Sequence, residues 1–130
     1  MTDSIQTNDY SITFEERGDV LRAYINGERG TLQIARLYWL DIAHRVIESD
    51  HKKLLVIEDI PEVIAISEVH QLVTDLAQLP VRDIRVAFVD LFSQHKSLNE
   101  FGILVAENRG LNLRIFDSEE LANEWLKIAV

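Results

Sequence analysis

The stretch Lys53-Leu54-Leu55-Val56-Ile57, followed at once by Glu58-Asp59, decides the fold. Its apolar residues occupy both alternating faces, which suits a central strand covered by helices on either side. Before it, the spacing predicts a long helix from Thr31 to about Ser49. At about 100° per residue, Leu32, Ala35, Trp39, Ile42, Ala43 and Val46 share one stripe of that helix. Thr31 stands where an N-cap is needed. After the strand comes a second helix, clear from Ser67 to Leu79, with Val69, Leu72, Val73 and Leu76 on its buried face. Leu79-Pro80 stops it. Pro61 could instead open that helix, which would then absorb Val63 and Ile64.

The remaining elements repeat the alternation of strand and helix. Ile84 to Val89 reads as another buried strand, and Leu98, Phe101, Gly102 and Val105 mark a third helix closed by Asn108-Arg109-Gly110. Leu111, Leu113 and Ile115 alternate in the last strand. Asp117 and Glu120 form a capping-box pattern ahead of a terminal helix with Leu121, Ala122, Trp125 and Leu126 on its apolar face. At the other end, Tyr10, Ile12 and Phe14 alternate with Ser11, Thr13 and Glu15, and a turn at Glu16-Arg17-Gly18-Asp19 leads to a second strand over Val20 to Asn26. Residues 1–9 read as a flexible tail and 10–130 as a single domain. The expected fold class is α/β: a mixed, mainly parallel five-stranded sheet with helices packed around it, in the order ββαβαβαβα.

Composition narrows the function. The 130 residues, 47% hydrophobic and 27% charged, fit one globular domain with a sizeable core. Thirteen Lys and Arg against 22 Asp and Glu leave a net charge of −9, which repels phosphate backbones, so no nucleic-acid partner is expected. The absence of cysteine removes disulfides, thiol nucleophiles and thiolate metal ligands, and it suits a reducing compartment. Met1 to Asp9 has neither a basic nor an apolar targeting region, and no apolar run approaches the ~20 residues of a membrane span. The expected location is cytoplasmic, with peripheral membrane association as a variant of it.

Three features carry a family resemblance over about Tyr10 to Leu126. They are the hairpin into Asn26-Gly27, the acidic strand end Glu58-Asp59, and the closing run from Arg114-Ile115-Phe116-Asp117 to Glu124-Trp125-Leu126. In order and pattern the chain resembles the SpoIIAA-like branch of the STAS superfamily. The resemblance implies a mixed sheet with helices around it and a small bacterial module that binds apolar ligands or associates with membranes. A topological likeness to CRAL-TRIO lipid-binding domains belongs to the same idea. STAS antagonists of anti-sigma factors carry a phosphorylated serine at the start of the second helix, and Ser67 in Ala65-Ile66-Ser67-Glu68-Val69 lies at about that place. Those proteins have Asp before the serine and a small residue plus Gly after it, whereas Ile66, Glu68 and Val69 stand here.

Catalytic patterns are absent. Glu58-Asp59, Asp90 and Asp117 end three strands and could together hold Mg²⁺, but Asp117 serves as a cap and no Lys, Ser or Thr completes a receiver-type site. Helix capping and loop solvation account for them, so no metal is expected. His44, His51, His70 and His95 show no zinc-type spacing. No Gly-x-Ser-x-Gly elbow holds a serine, and Gly27 and Gly30 lack the third glycine of a dinucleotide loop. The expectation is a non-enzymatic protein without a cofactor. Ser67 reads first as an N-cap and second as a phosphosite switching a protein–protein regulatory module.

Apolar residues in unexpected places say more. Ile34 and Leu37 lie opposite the core stripe of the first helix; Ile60, Val63 and Ile64 fill the loop after the central strand; Leu91-Phe92 opens the next such loop. All follow strand C-termini, so the topology predicts a single rim. Leaving such side chains in water forfeits about 1.5–3 kcal/mol each. The expected ligand- or membrane-binding set is therefore Ile34, Leu37, Ile60, Val63, Ile64, Leu91 and Phe92, exposed by lid movement. A hydrophobic small molecule or a weakly held membrane surface would cover it, with a protein partner or a second copy of the chain as alternatives. The chain's acidity argues against stable docking on anionic lipid.

Overall fold

A computed structural model describes residues 2–128. Six strands and four helices follow one another as β1 (Thr2–Gln6), β2 (Tyr10–Arg17), β3 (Val20–Gly27), α1 (Leu32–Ser49), β4 (Lys53–Asp59), α2 (Ile66–Leu76), β5 (Arg85–Asp90), α3 (Lys96–Asn108), β6 (Asn112–Phe116) and α4 (Glu119–Lys127). Short 3₁₀ turns at Pro80–Asp83 and Ser93–His95 precede β5 and α3. The strands form one sheet in sequence order, antiparallel from β1 to β3 and parallel from β3 to β6.

The α/β class holds, but the sheet has six strands rather than five. The additional strand lies in the segment expected to be a flexible tail. Thr2–Gln6 pairs along β2 with Ile5 opposite Ile12, and only Ile5 packs against the core. The Asp3 carboxylate also meets the Arg45 guanidinium of α1.

Alternation along β4 divides the interior into two layers. Leu54 and Val56 face α1, α2 and α3, while Leu55 and Ile57 face α4 with Ala87, Val89, Ala122 and Leu126. None of the four β4 side chains is more than 2% exposed, which is why this run is apolar on both faces. Thr31 caps α1 by accepting the Ile34 N–H at 3.1 Å. The helix closes on Asp50 in the left-handed region, φ 53°.

Two caps differ from their sequence readings. Ala65, not Ser67, occupies the N-cap of α2, where the Glu68 carboxylate accepts the Ala65 N–H at 3.3 Å. Pro61 lies outside the helix, and Ser67 sits exposed in its first turn. The cap of α4 is Ser118, one residue beyond Asp117, and it accepts the Leu121 N–H at 3.2 Å. No helix among the described residues is long and apolar enough to cross a membrane.

Candidate functional site

Strand register places the first components. Glu58 pairs with Asp90 across β4 and β5, and both continue the alternation of Leu54-Val56 and Val86-Phe88 onto the three-helix side. The row that carries the main core thus ends in two carboxylates at the C-terminal edge of the sheet. The loops after β3, β4 and β5 meet at that edge.

Asp90 organises the loop contacts. Its Oδ1 accepts the Phe92 N–H at 2.9 Å, and Oδ2 accepts from His95 Nδ1 at 2.9 Å and Asn99 Nδ2 at 3.0 Å. The other ring nitrogen of His95 lies 3.0 Å from the Pro61 carbonyl oxygen. Asp90 and the Pro61 carbonyl thus hold the imidazole by its two ring nitrogens and fix its orientation. The His95 and Asp90 side chains are only 4% and 6% exposed. Breaking such a buried pair by removing one partner leaves an uncompensated charge.

The loop from Pro61 to Ala65 is pinned twice. His95 holds it at Pro61. On its other side the Gly30 N–H donates to Glu62 Oε1 at 3.2 Å, and a Cβ on Gly30 would come within 2.0 Å of the Glu62 carbonyl oxygen. Gly30 is needed because the two backbones approach so closely.

Under this loop lies a cavity of about 90 Å³ between the sheet and α1, α2 and α3. Ala35 and Trp39 of α1, Val69 and Val73 of α2, and Gly102 and Leu98 of α3 contribute to its wall. Phe88, Leu113 and Ile115 form the sheet side, and Ile60, Val63 and Ile64 the loop side. Gly102 leaves space because it has no side chain. A Cβ there would sit 3.4 Å from Val69 Cγ1 and 4.0 Å from Val73 Cγ2.

One end of the cavity is polar. Glu58 and Tyr38 both line it, and the Tyr38 hydroxyl donates to Glu58 Oε2 at 2.7 Å. Among the described residues, no side-chain hydrogen bond reaches Glu58 Oε1 and no salt bridge reaches the carboxyl. Burial raises the Glu58 pKa to about 7, the negative charge of Asp90 adding to the rise while the Tyr38 hydrogen bond and His95 oppose it. The Tyr38 phenol is pushed well above its ordinary value, mainly by burial and then by Glu58.

The seven residues expected on one apolar rim divide among several places. Ile60, Val63 and Ile64 line the cavity together. Ile34 is buried in the main core instead of lying on an exposed face, because it shares a side of α1 with Tyr38 and Asp41, which contact Tyr10 of β2. Leu37 is 51% exposed on α1, and Leu91 is 53% exposed beyond β5. Phe92 is partly buried, its ring 5.5 Å from that of His95. Leu37, Leu91 and Phe92 do not line the cavity.

Sequence reasoning passed over the polar residues that matter most. As strand ends Asp90 and Glu58 suggest only capping and loop solvation, whereas Asp90 is paired in the interior and Glu58 faces the cavity. His95 carries no signal, since its two partners, Asp90 and Pro61, come from separate segments. Tyr38 could have been found: it lies about 40° beyond Ile42, at the edge of the α1 stripe, where a buried phenol needs a partner. Among the described residues, no group of three His, Cys, Asp or Glu is arranged to hold a metal ion. No family model, curated protein or solved structure matches this chain.

Proposed function

We propose that this protein is a non-enzymatic binding module of SpoIIAA-like, STAS type, which takes a small apolar ligand into the cavity beneath the 61–65 loop. The observation that carries the reading is an apolar space of about 90 Å³ beneath a segment pinned at two points. Apolar walls around a space of that size lack the packing contacts that a filled interior supplies. Three waters would fill it at ~30 Å³ each, but its apolar walls offer them few hydrogen bonds. An apolar ligand recovers contacts that water does not. Two features support the lid and the absence of catalysis. Each pin is a single hydrogen bond, Gly30 N–H to Glu62 and His95 with the Pro61 carbonyl. Both nitrogens of His95 are already engaged, one by Asp90 and the other by the Pro61 carbonyl. The order of elements from β2 onward supports the STAS-type reading.

The test is binding of 1-hexanol followed by amide chemical shifts. Residues 35–39, 60–64, 69–76 and 98–103 should move in a saturable way, and Gly102→Val, which fills the space, should abolish the effect. Absence of saturable shifts at millimolar hexanol would overturn the proposal. A second reading, a regulatory module switched at Ser67, is favoured by the exposed position of that side chain in the first turn of α2, where a phosphate would meet the positive end of the helix. Glu68 in the same turn opposes it.

A further inference from the structure

The cavity is neutral along its walls and acidic at its polar end. Glu58 and Glu62 are the charged side chains that line it; Tyr38 and Asn99 add neutral polar groups, and no Lys, Arg or His is present in the lining. The groups facing Glu58 are Tyr38 from α1, Asp90 from β5 and His95 from the turn before α3. His95 and Asn99 are committed to Asp90, and Glu62 to Gly30. Glu58 therefore has one hydroxyl donor on Oε2, an open Oε1, and no counter-ion of its own among the described residues.

Resting on the cavity reading above, we propose that the ligand is a small amphipathic cation, an apolar body ending in an ammonium group that pairs with Glu58. The space accepts the body, and the open carboxylate oxygen accepts an N–H of the head. An anionic head, whether of a fatty acid or a phosphate ester, would meet two carboxylates and find no Lys, Arg or His in the lining. A neutral head is accommodated but leaves the acid, half-buried at the end of the cavity, without a counter-charge.

Pairing is linked to protons. A free alkylamine stays charged well above neutrality, near the ~10.4 of a lysine side chain. Glu58, raised to about 7 by burial, is largely neutral at pH 6 and largely ionised at pH 8. Binding the cation draws it into the ionised form, so affinity rises with pH across this interval.

The experiment compares 1-hexylamine, 1-hexanol and hexanoate, identical in chain length, by amide chemical shifts at pH 6 and pH 8. Hexylamine should bind at least tenfold more tightly than hexanol at pH 8, and about tenfold more weakly at pH 6 than at pH 8. Hexanoate should bind most weakly. In Glu58→Gln, which keeps shape and polarity, hexanol should bind as before while hexylamine loses both its advantage and its pH dependence. Tyr38→Phe should retain the preference for the amine, since the hydroxyl positions Glu58 rather than contacting the ligand. Hexanol or hexanoate binding as tightly as hexylamine, or an undiminished preference in Glu58→Gln, would overturn the cationic class while leaving the cavity reading intact. Binding of none of the three would overturn both.

Discussion

Gly30 and Gly102 border the same cavity, and a methyl group added at each should have opposite consequences. At Gly102 the new Cβ would make ordinary contacts, 3.4 Å to Val69 Cγ1 and 4.0 Å to Val73 Cγ2, and alanine is favoured over glycine within a helix by about 1 kcal/mol. Gly102→Ala should therefore raise stability by about 1 kcal/mol in urea titration while weakening hexanol binding, because it narrows the space. At Gly30 the Cβ would lie 2.0 Å from a backbone oxygen of Glu62, which no side-chain rotation can relieve. Gly30→Ala should cost about 1–3 kcal/mol in the same titration and shift the amides of residues 61–65. A neutral Gly30→Ala would show that the two backbones do not meet as described. In the sequence both glycines are legible only as local features, a break before α1 and a place on a helix face. Crowding at one and space at the other depend on Glu62 and Val69, which the fold brings opposite them.

At the scale of elements, capping separates two serines. Ser118 Oγ accepts the Leu121 N–H at 3.2 Å, so Ser118→Ala should destabilise the protein by about 1 kcal/mol. Ser67 lies inside α2 behind Ala65, so Ser67→Ala should stay within about 0.5 kcal/mol of the parent. Equal losses in the two variants would contradict the observed start of α2. The Asp117-x-x-Glu120 pattern points one residue too early: Ser118 is the cap, and Glu119 in the first turn of α4 meets Arg22 of β3 at 2.7 and 3.1 Å. No local pattern contains that contact. β1 escaped notice for a related reason. Ile5 is its single inward apolar residue, and pairing with β2 holds the rest of the strand in place. β4 and the three crossover helices were legible because burial imprints a period on each of them.

Over the whole molecule, the topology read from the sequence correctly brings the loops after β3, β4 and β5 to one edge, where Gly30, Glu62, Pro61 and His95 meet. What a helical wheel could not show is that the apolar surplus of the 60–64 loop turns inward around a cavity with an acid at its end. That acid gives the molecule a pH dependence of stability with a definite sign. Glu58 ionises near 7 in the folded chain against 4.5 for an unperturbed glutamate, so the folded state holds its proton more tightly. The stability this contributes is complete below about pH 4.5 and is lost as the pH rises through 7. Glu15, Asp19 and Glu119 have lowered pKa values, chiefly through Arg17, Lys53 and Arg22 respectively. Their contributions are present above about pH 4.5 and disappear as the pH falls through their folded values, outside the interval in which Glu58 acts. The histidines are common to the parent and to Glu58→Gln, so comparing the two proteins isolates Glu58. At about 1.4 kcal/mol per tenfold change in proton affinity, Glu58→Gln should gain roughly 2–3 kcal/mol on the parent between pH 5 and pH 8, read from urea midpoints at constant slope. Parallel pH profiles would mean that Glu58 ionises as it would in water, and the polar end of the cavity would then be open to solvent.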